Sequence, residues 1–131
     1  MERTLEQFLA AYREKAWRPG QVDCCLFLAA WAMWLGHVDP AQHLRGAYDS
    51  EEGFRTIIER EGNVPAVVGS CVARIHGKPL QQPRCGAIGV IGSAANIHRQ
   101  FGAIHDGERW NVRFKNGVGF MTAAPLAIWM I

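Results

Sequence analysis

The sequence predicts a single α+β domain in which N-terminal helices, including a buried central helix, pack on a C-terminal antiparallel sheet of about five strands. Apolar residues recur at helical spacing over about residues 1–76, whereas short apolar runs alternate with turn signals over about residues 85–131. Because helices and strands are segregated rather than alternating along the chain, the pattern is typical of α+β proteins and not of α/β proteins.

The composition agrees with one domain that covers residues 1–131. The chain is 49% hydrophobic, which is enough for one core, and no Ser/Gly-rich or Pro-rich linker divides it. Its formal net charge is only +2 at pH 7, and its basic residues are scattered rather than clustered. We therefore expect no nucleic-acid partner.

The first two helices have clear start and stop signals. Thr4-Leu5-Glu6-Gln7 is a capping box that predicts the start of the first helix. A second helix is predicted from Cys24 to about Leu35, where Gly36 can form a left-handed cap. This second helix is apolar almost all round, so other elements must surround it.

Three further segments complete the helical half. Asp39-Pro40 predicts a short helical turn, and Ser50 caps a helix that Gly62 ends. The segment from Pro65 to about Ala73 is either a helix or a strand, since its valines leave both open.

Five apolar runs predict the strands of the sheet half. They are Ala87–Ile91, Phe101–Ile104, Arg109–Phe114, Val118–Met121 and Leu126–Ile131. Asp106-Gly107 and Asn116-Gly117 are strong hairpin dipeptides. Short runs joined by such turns predict an antiparallel meander, with the central helix packed against it.

We expect no signal peptide, membrane span or cofactor. The N-terminus lacks a basic region followed by an apolar core, which implies synthesis in the cytoplasm. The longest apolar run falls short of the ~20 residues that a bilayer requires. The cysteines lack the paired spacing of a zinc site and are expected to be free thiols. They are Cys24, Cys25, Cys71 and Cys85.

Reactive chemistry is most strongly indicated at Asp23-Cys24, where a loop becomes the buried helix. Asp23 can cap this helix through its carboxylate. Cys24 then occupies the first helical position, where free amides and the helix dipole favour a nucleophilic thiolate. The alternative is that Cys24 is a buried structural cysteine.

Around this thiol the chain reads Trp17-Arg18-Pro19-Gly20-Gln21-Val22-Asp23-Cys24-Cys25-Leu26-Phe27. This segment resembles the nucleophile motif of NlpC-type cell-wall peptidases, which have a papain-like fold. Later segments resemble a small branch of that superfamily found among phage and prophage tail genes. They are Leu44-Arg45-Gly46-Ala47-Tyr48, Gly86–Ile91, Gly102-Ala103-Ile104 and Ala127-Ile128-Trp129. The resemblance therefore covers most of the chain.

The resemblance implies an enzyme that cuts peptidoglycan stem peptides with a Cys-His-polar triad. Cys24 matches the nucleophile. The histidine, which opens the second strand in these peptidases, aligns with Gln100, and a glutamine cannot accept a proton at neutral pH. The strict alignment therefore implies a degenerate or remodelled site.

Three histidines could still supply the base. His98 is the first choice, because a two-residue slip from Gln100 keeps the same sheet face. His105 is second, because strand parity places it on the other face, and His76, before the sheet, is third. Asn111 is the candidate for the polar group that orients the histidine.

Two functions follow from the resemblance. One is a structural component of a phage or prophage tail tip or baseplate, with other tail hub proteins as its partners. The alternative is an active cysteine peptidase that cleaves peptidoglycan during infection. Both imply a chain that is assembled into the virion tail. The cysteine spacing disfavours a metal-binding or redox module.

Overall fold

The computed structural model describes residues 1–131 and contains four α-helices followed by a six-stranded antiparallel sheet. The helices are α1 (Glu2–Arg13), α2 (Cys24–Trp34), α3 (Glu51–Glu61) and α4 (Val64–Arg74). The strands are β1 (Lys78–Pro79), β2 (Ile88–Gly92), β3 (Gln100–His105), β4 (Trp110–Phe114), β5 (Gly117–Met121) and β6 (Pro125–Met130), with a 3₁₀ turn (Ile97–Arg99) before β3. The predicted α+β class is confirmed.

Side-chain caps begin three of the four helices. The exception is α1, which begins at Glu2 without a side-chain cap, so the predicted start at the Thr4 capping box is wrong. Asp23, Ser50 and Asn63 accept hydrogen bonds from the first amides of α2, α3 and α4. Of the two structures left open for residues 65–73, the helix is correct, because Asn63 caps it and a proline occupies its first turn. The segment after Asp39 forms turns but no helix.

The predicted five-stranded meander is wrong in two respects. The strand order is β1-β6-β2-β3-β4-β5, so only β2 to β5 form a meander, and β6 returns to pair with β2. A sixth strand, β1, pairs with β6 at the edge of the sheet, where the missing N–H of Pro79 is tolerated. A two-residue strand has no alternation to detect, and long-range pairing leaves no local signal.

Helix α2 lies at the centre of the fold. Phe27 and Trp31 are fully buried, and the Trp31 indole donates a hydrogen bond to Gly86 O at 2.9 Å. The start of the helix lies against β3, because a Cβ at Gly102 would be only 2.6 Å from Cys24 O. A glycine at this position therefore permits the close approach of strand and helix. No helix in the structure is long and apolar enough to cross a membrane.

Arg113 joins β4 to the end of α1. Its buried guanidinium donates to Tyr12 O at 3.0 Å and to Lys15 O at 2.9 Å, and its Nε donates to Phe114 O. A cation at a helix C-terminus is favourable, and these bonds join β4 to main-chain carbonyls at and just after the end of α1. The sheet and α1 are thereby held together.

Candidate functional site

Cys24 is the first residue of α2 and is partly exposed at an open cleft of about 270 Å³. Side chains from α3, the 3₁₀ turn and the adjoining strands form the walls of this cleft. Among them are Phe54, His98, Gln100 and Arg113. The structure therefore places Cys24 and two of the other residues selected from the sequence, His98 and Gln100, around one cleft.

Asp23 caps α2 as predicted, and its carboxylate is fully occupied. Oδ1 accepts from Cys25 N at 3.1 Å and Leu26 N at 2.9 Å. Oδ2 accepts from Gly20 N at 3.0 Å and from the Tyr48 hydroxyl. The side chain is buried. Asp23 therefore has a structural role and no free oxygen with which to take a proton.

The loop that carries Tyr48 packs tightly on the segment before α2. Gly20 adopts a left-handed φ of +84°, and a Cβ there would lie 1.9 Å from Tyr48 O, so only glycine fits. Gly46 N donates to Gly20 O at 3.0 Å. Burial, together with the charge of Asp23, raises the pKa of Tyr48, which therefore keeps its hydroxyl proton.

Cys25 points into the core rather than the cleft. It is buried, and a hydrogen bond with the Cys24 side chain, together with burial, raises the pKa of the Cys25 thiol. Burial also raises the pKa of Cys71. All four cysteines are free. Of the four, only Cys24 lines the cleft.

Gln100, which occupies the position expected for a histidine, uses both ends of its amide in the fold. Its Oε1 accepts from Val64 N, the first residue of α4, at 3.0 Å. Its Nε2 donates to Ser93 O at 2.9 Å. The side chain is buried. Gln100 therefore connects the start of β3 to the start of α4 and to the loop after β2.

His98 reaches the Cys24 cleft from the 3₁₀ turn and not from the strand, because β3 begins only at Gln100. Its Nε2 lies 3.2 Å from Glu59 Oε1, and its Nδ1 is buried without a hydrogen-bond partner. The imidazole and the thiol therefore share a cleft without a hydrogen bond between them. The expectation that His98 would replace Gln100 by a two-residue slip along the strand is therefore wrong, because His98 lies outside β3.

The remaining candidates lie outside the Cys24 cleft. His105 accepts from Gly107 N at 3.0 Å and packs edge-on against Trp110, and burial lowers its pKa. The Asn111 amide donates to Ile104 O and to Asp106, in a separate cleft against α1. His76 follows α4 beside β1 and β6. None of these three residues lines the Cys24 cleft.

Sequence reasoning missed the partner of His98. Glu59 lies on α3, about 40 residues earlier in the chain, and no local pattern connects the two residues. It also missed Tyr48 as a partner of Asp23, although Tyr48 belongs to the Leu44–Tyr48 segment that the resemblance had singled out.

A family model described as "Domain of unknown function (DUF6950)" matches residues 1–131. The chain therefore belongs to this family. The comparison with curated proteins finds no significant match, and neither does the comparison with solved structures.

Replacement of Asp23 should destabilise the protein more than replacement of Ser50, a helix cap that forms only one hydrogen bond. Asp23→Ala leaves three amides and the Tyr48 hydroxyl without their acceptor, and we expect a loss of roughly 2–4 kcal/mol in the free energy of unfolding. Ser50→Ala removes one exposed capping bond and should cost about 1 kcal/mol. Urea unfolding followed by circular dichroism measures both, and equal losses would contradict the central role of Asp23.

Thiol labelling should separate the four cysteines. In native protein at pH 8, we expect iodoacetamide to label Cys24 first, because this thiol is partly exposed at the open cleft. Cys85 should react more slowly, since burial raises its pKa. Cys25 and Cys71 should react only after unfolding. Peptide mass spectrometry identifies the modified sites, with Cys24→Ser as the control, and native labelling of Cys25 at the rate of Cys24 would contradict the assignment.

Proposed function

We propose that this DUF6950 protein is a structural component of a phage or prophage tail tip or baseplate, with an NlpC-type fold whose thiol-hydrolase site has been remodelled. The supporting observation is the role of Gln100. The residue at the histidine position of the motif is a buried glutamine that uses both its acceptor and its donor to hold the fold together.

The chemistry of a papain-like hydrolase requires an imidazole at this position. The imidazole keeps the cysteine as a thiolate and later protonates the leaving amine. A glutamine can do neither. If Gln100 left its place, Val64 N and Ser93 O would lose their partners, and the loss at the buried Val64 N would cost about 1–3 kcal/mol. The position therefore serves stability and not proton transfer.

The tail assignment rests on the resemblance of several segments to proteins found among phage and prophage tail genes. The structure is compatible with the NlpC-type part of the proposal, because a cysteine begins a buried helix that lies against an antiparallel sheet. The expected partners are the other hub proteins of the tail.

One observation favours the second candidate, an active cysteine peptidase that cleaves peptidoglycan stem peptides. His98 has one ring nitrogen beside the Glu59 carboxylate and the other without a partner, within the cleft that contains Cys24. A carboxylate that orients a histidine is a common feature of nucleophilic sites. In this candidate His98 would have to move to form a hydrogen bond with the thiol.

Purified protein should release no stem peptides from peptidoglycan above the level of Cys24→Ala. The physical reason is that no imidazole is hydrogen-bonded to the thiol and that Gln100 cannot replace one. Chromatography of the soluble products with mass detection measures the release, and an active cell-wall peptidase added to the same substrate serves as the positive control.

A second variant decides between the two candidates if release is seen. Activity that disappears in both Cys24→Ala and His98→Gln would overturn the structural proposal and identify the second candidate. Activity that survives in His98→Gln but not in Cys24→Ala would also overturn it and would require a base other than His98.

The chain should be found in purified tail particles, since a structural component remains in the assembled virion. Mass spectrometry of particles purified from the producing strain tests this expectation. Particles that carry Cys24→Ala should assemble and infect as the wild type does. Complete absence of the chain from intact, infective particles would contradict the assignment to the tail.

A further inference from the structure

The two edges of the sheet differ in how they are protected against pairing with another chain. At one edge, β1 consists of only two residues, a lysine and a proline. Short length, lysine and proline are all features that prevent an edge strand from adding a further strand. At the other edge, β5 has five residues, none of them charged or proline, and pairs with β4 without a bulge. The β5 edge therefore lacks the protection that the β1 edge has.

The main-chain groups of Val118 and Phe120 point away from β4, at the open edge of the sheet. Phe114 and Gly117 pair across a two-residue loop, which makes them a hydrogen-bonded pair of the ladder. Since such pairs alternate along antiparallel strands, Gly119 also bonds to β4, whereas Val118 and Phe120 direct their N–H and C=O groups outward. No other main-chain group forms a hydrogen bond with them, and no residue of β5 is buried. The edge therefore offers two donors and two acceptors to an extended chain.

An acidic cleft lies beside this edge. It encloses about 550 Å³ between α1, the turn before β4 and the Phe120 side chain, and it shares no residue with the Cys24 cleft. Four carboxylates and two guanidinium groups line it, so its charge is net negative. They belong to Glu2, Glu6, Asp106, Glu108, Arg13 and Arg109. Glu2, Glu6 and Glu108 are exposed and belong to no ion pair. These three carboxylates are therefore available to a cationic partner.

We propose that β5 binds an extended segment of a partner polypeptide, which adds to the sheet as a seventh antiparallel strand and directs basic side chains into the acidic cleft. The outward main-chain groups of Val118 and Phe120 would exchange hydrogen bonds with the segment. Residues that face each other across antiparallel strands put their side chains on the same face. Because Phe120 is 54% exposed and lines the acidic cleft, the partner residue opposite it would reach the cleft as well. Lysine or arginine at alternate positions of the segment fits this arrangement.

Charge favours such a segment over a second copy of this chain. If β5 paired with β5 of a second copy, the same face of both sheets would lie on one side, and two net-negative clefts would flank the joint. Like charges brought together at an interface disfavour that pairing. A basic segment has the opposite effect. The proposal concerns a surface separate from the Cys24 cleft and holds whether or not the chain belongs to a tail.

Binding of the peptide acetyl-Lys-Val-Lys-Val-Lys-amide tests the proposal. In NMR spectra of the saturated complex, amide hydrogen exchange at Val118 and Phe120 should slow by at least about tenfold, because these N–H groups gain acceptors. Exchange at Gly119, which already bonds to β4, should stay as it is. Titration calorimetry should show binding at least about tenfold tighter than that of acetyl-Glu-Val-Glu-Val-Glu-amide. No binding of the lysine peptide up to about 1 mM, or binding without slower exchange at Val118 and Phe120, would overturn the proposal.

Two methylated forms of the lysine peptide separate strand addition from simple charge attraction. Methylation of the central lysine amide removes an N–H that would face β5, and methylation of the following valine amide removes one that would point away from β5. The first peptide should bind at least about fivefold more weakly than the parent, and the second should bind about as tightly as the parent. Equal binding of the two methylated peptides would overturn the proposal.

Val118→Pro removes an outward N–H at a position where an edge strand tolerates proline. It should bind the lysine peptide at least about fivefold more weakly, with circular dichroism to confirm the fold. If this variant does not fold, the two methylated peptides decide the same question on the unaltered protein. Sedimentation of the free protein should show a monomer. A dimer that Val118→Pro dissociates would assign the edge to a second copy and overturn the proposal.

Glu6→Gln tests the choice of a basic segment. This variant removes one free carboxylate from the acidic cleft and should weaken binding of the lysine peptide about threefold. Glu52→Gln, an exposed glutamate of α3 outside the cleft, is the matched control and should bind as the wild type does. Equal affinity of the two variants would overturn the assignment of a basic partner.

Discussion

The buried carboxylate of Asp23 is the interaction on which the rest of the structure depends. It joins the loop before α2, the first amides of α2 and the hydroxyl of Tyr48. Since α2 is the central helix, its starting point determines where the core packs. Tyr48 in turn stacks on Phe54 of α3, with ring centroids 5.0 Å apart. One carboxylate thereby sets the position of both the thiol and the helix that faces it.

Apart from the tyrosines, the five buried polar or charged side chains all hydrogen-bond to the backbone. These residues are Asp23, Gln100, His105, Asn111 and Arg113. Buried polar groups require partners, and unpaired main-chain groups at helix ends and turns are the nearest ones available. Polar residues within apolar segments therefore resemble catalytic residues in the sequence, although in this fold they satisfy the backbone.

The sequence predicts those parts of the structure that depend on local signals. The α+β class, the Asp23 cap and the ends of α3 follow from local signals, because caps and periodicity act within a few residues. The return of β6 to β2 and the pairing of His98 with Glu59 depend on contacts between distant segments. The sequence predicts that Cys24 and His98 share a site. It cannot show that the Gln100 amide is already hydrogen-bonded to Val64 N and Ser93 O.

The two candidate functions depend on two side chains, Gln100 and His98, which the fold holds with different strength. Gln100 is buried, and both ends of its amide are hydrogen-bonded to the backbone. Moving it would therefore break both hydrogen bonds and destabilise the fold. The pairing of His98 with Glu59 is different, because the Glu59 side chain is 61% exposed and ion pairs at exposed sites contribute little. A partner that covers the cleft could therefore reorient His98 without disturbing the fold, whereas it could not create a base at Gln100. A Cys-His mechanism in this cleft would therefore have to use His98, after its pair with Glu59 has rearranged towards Cys24.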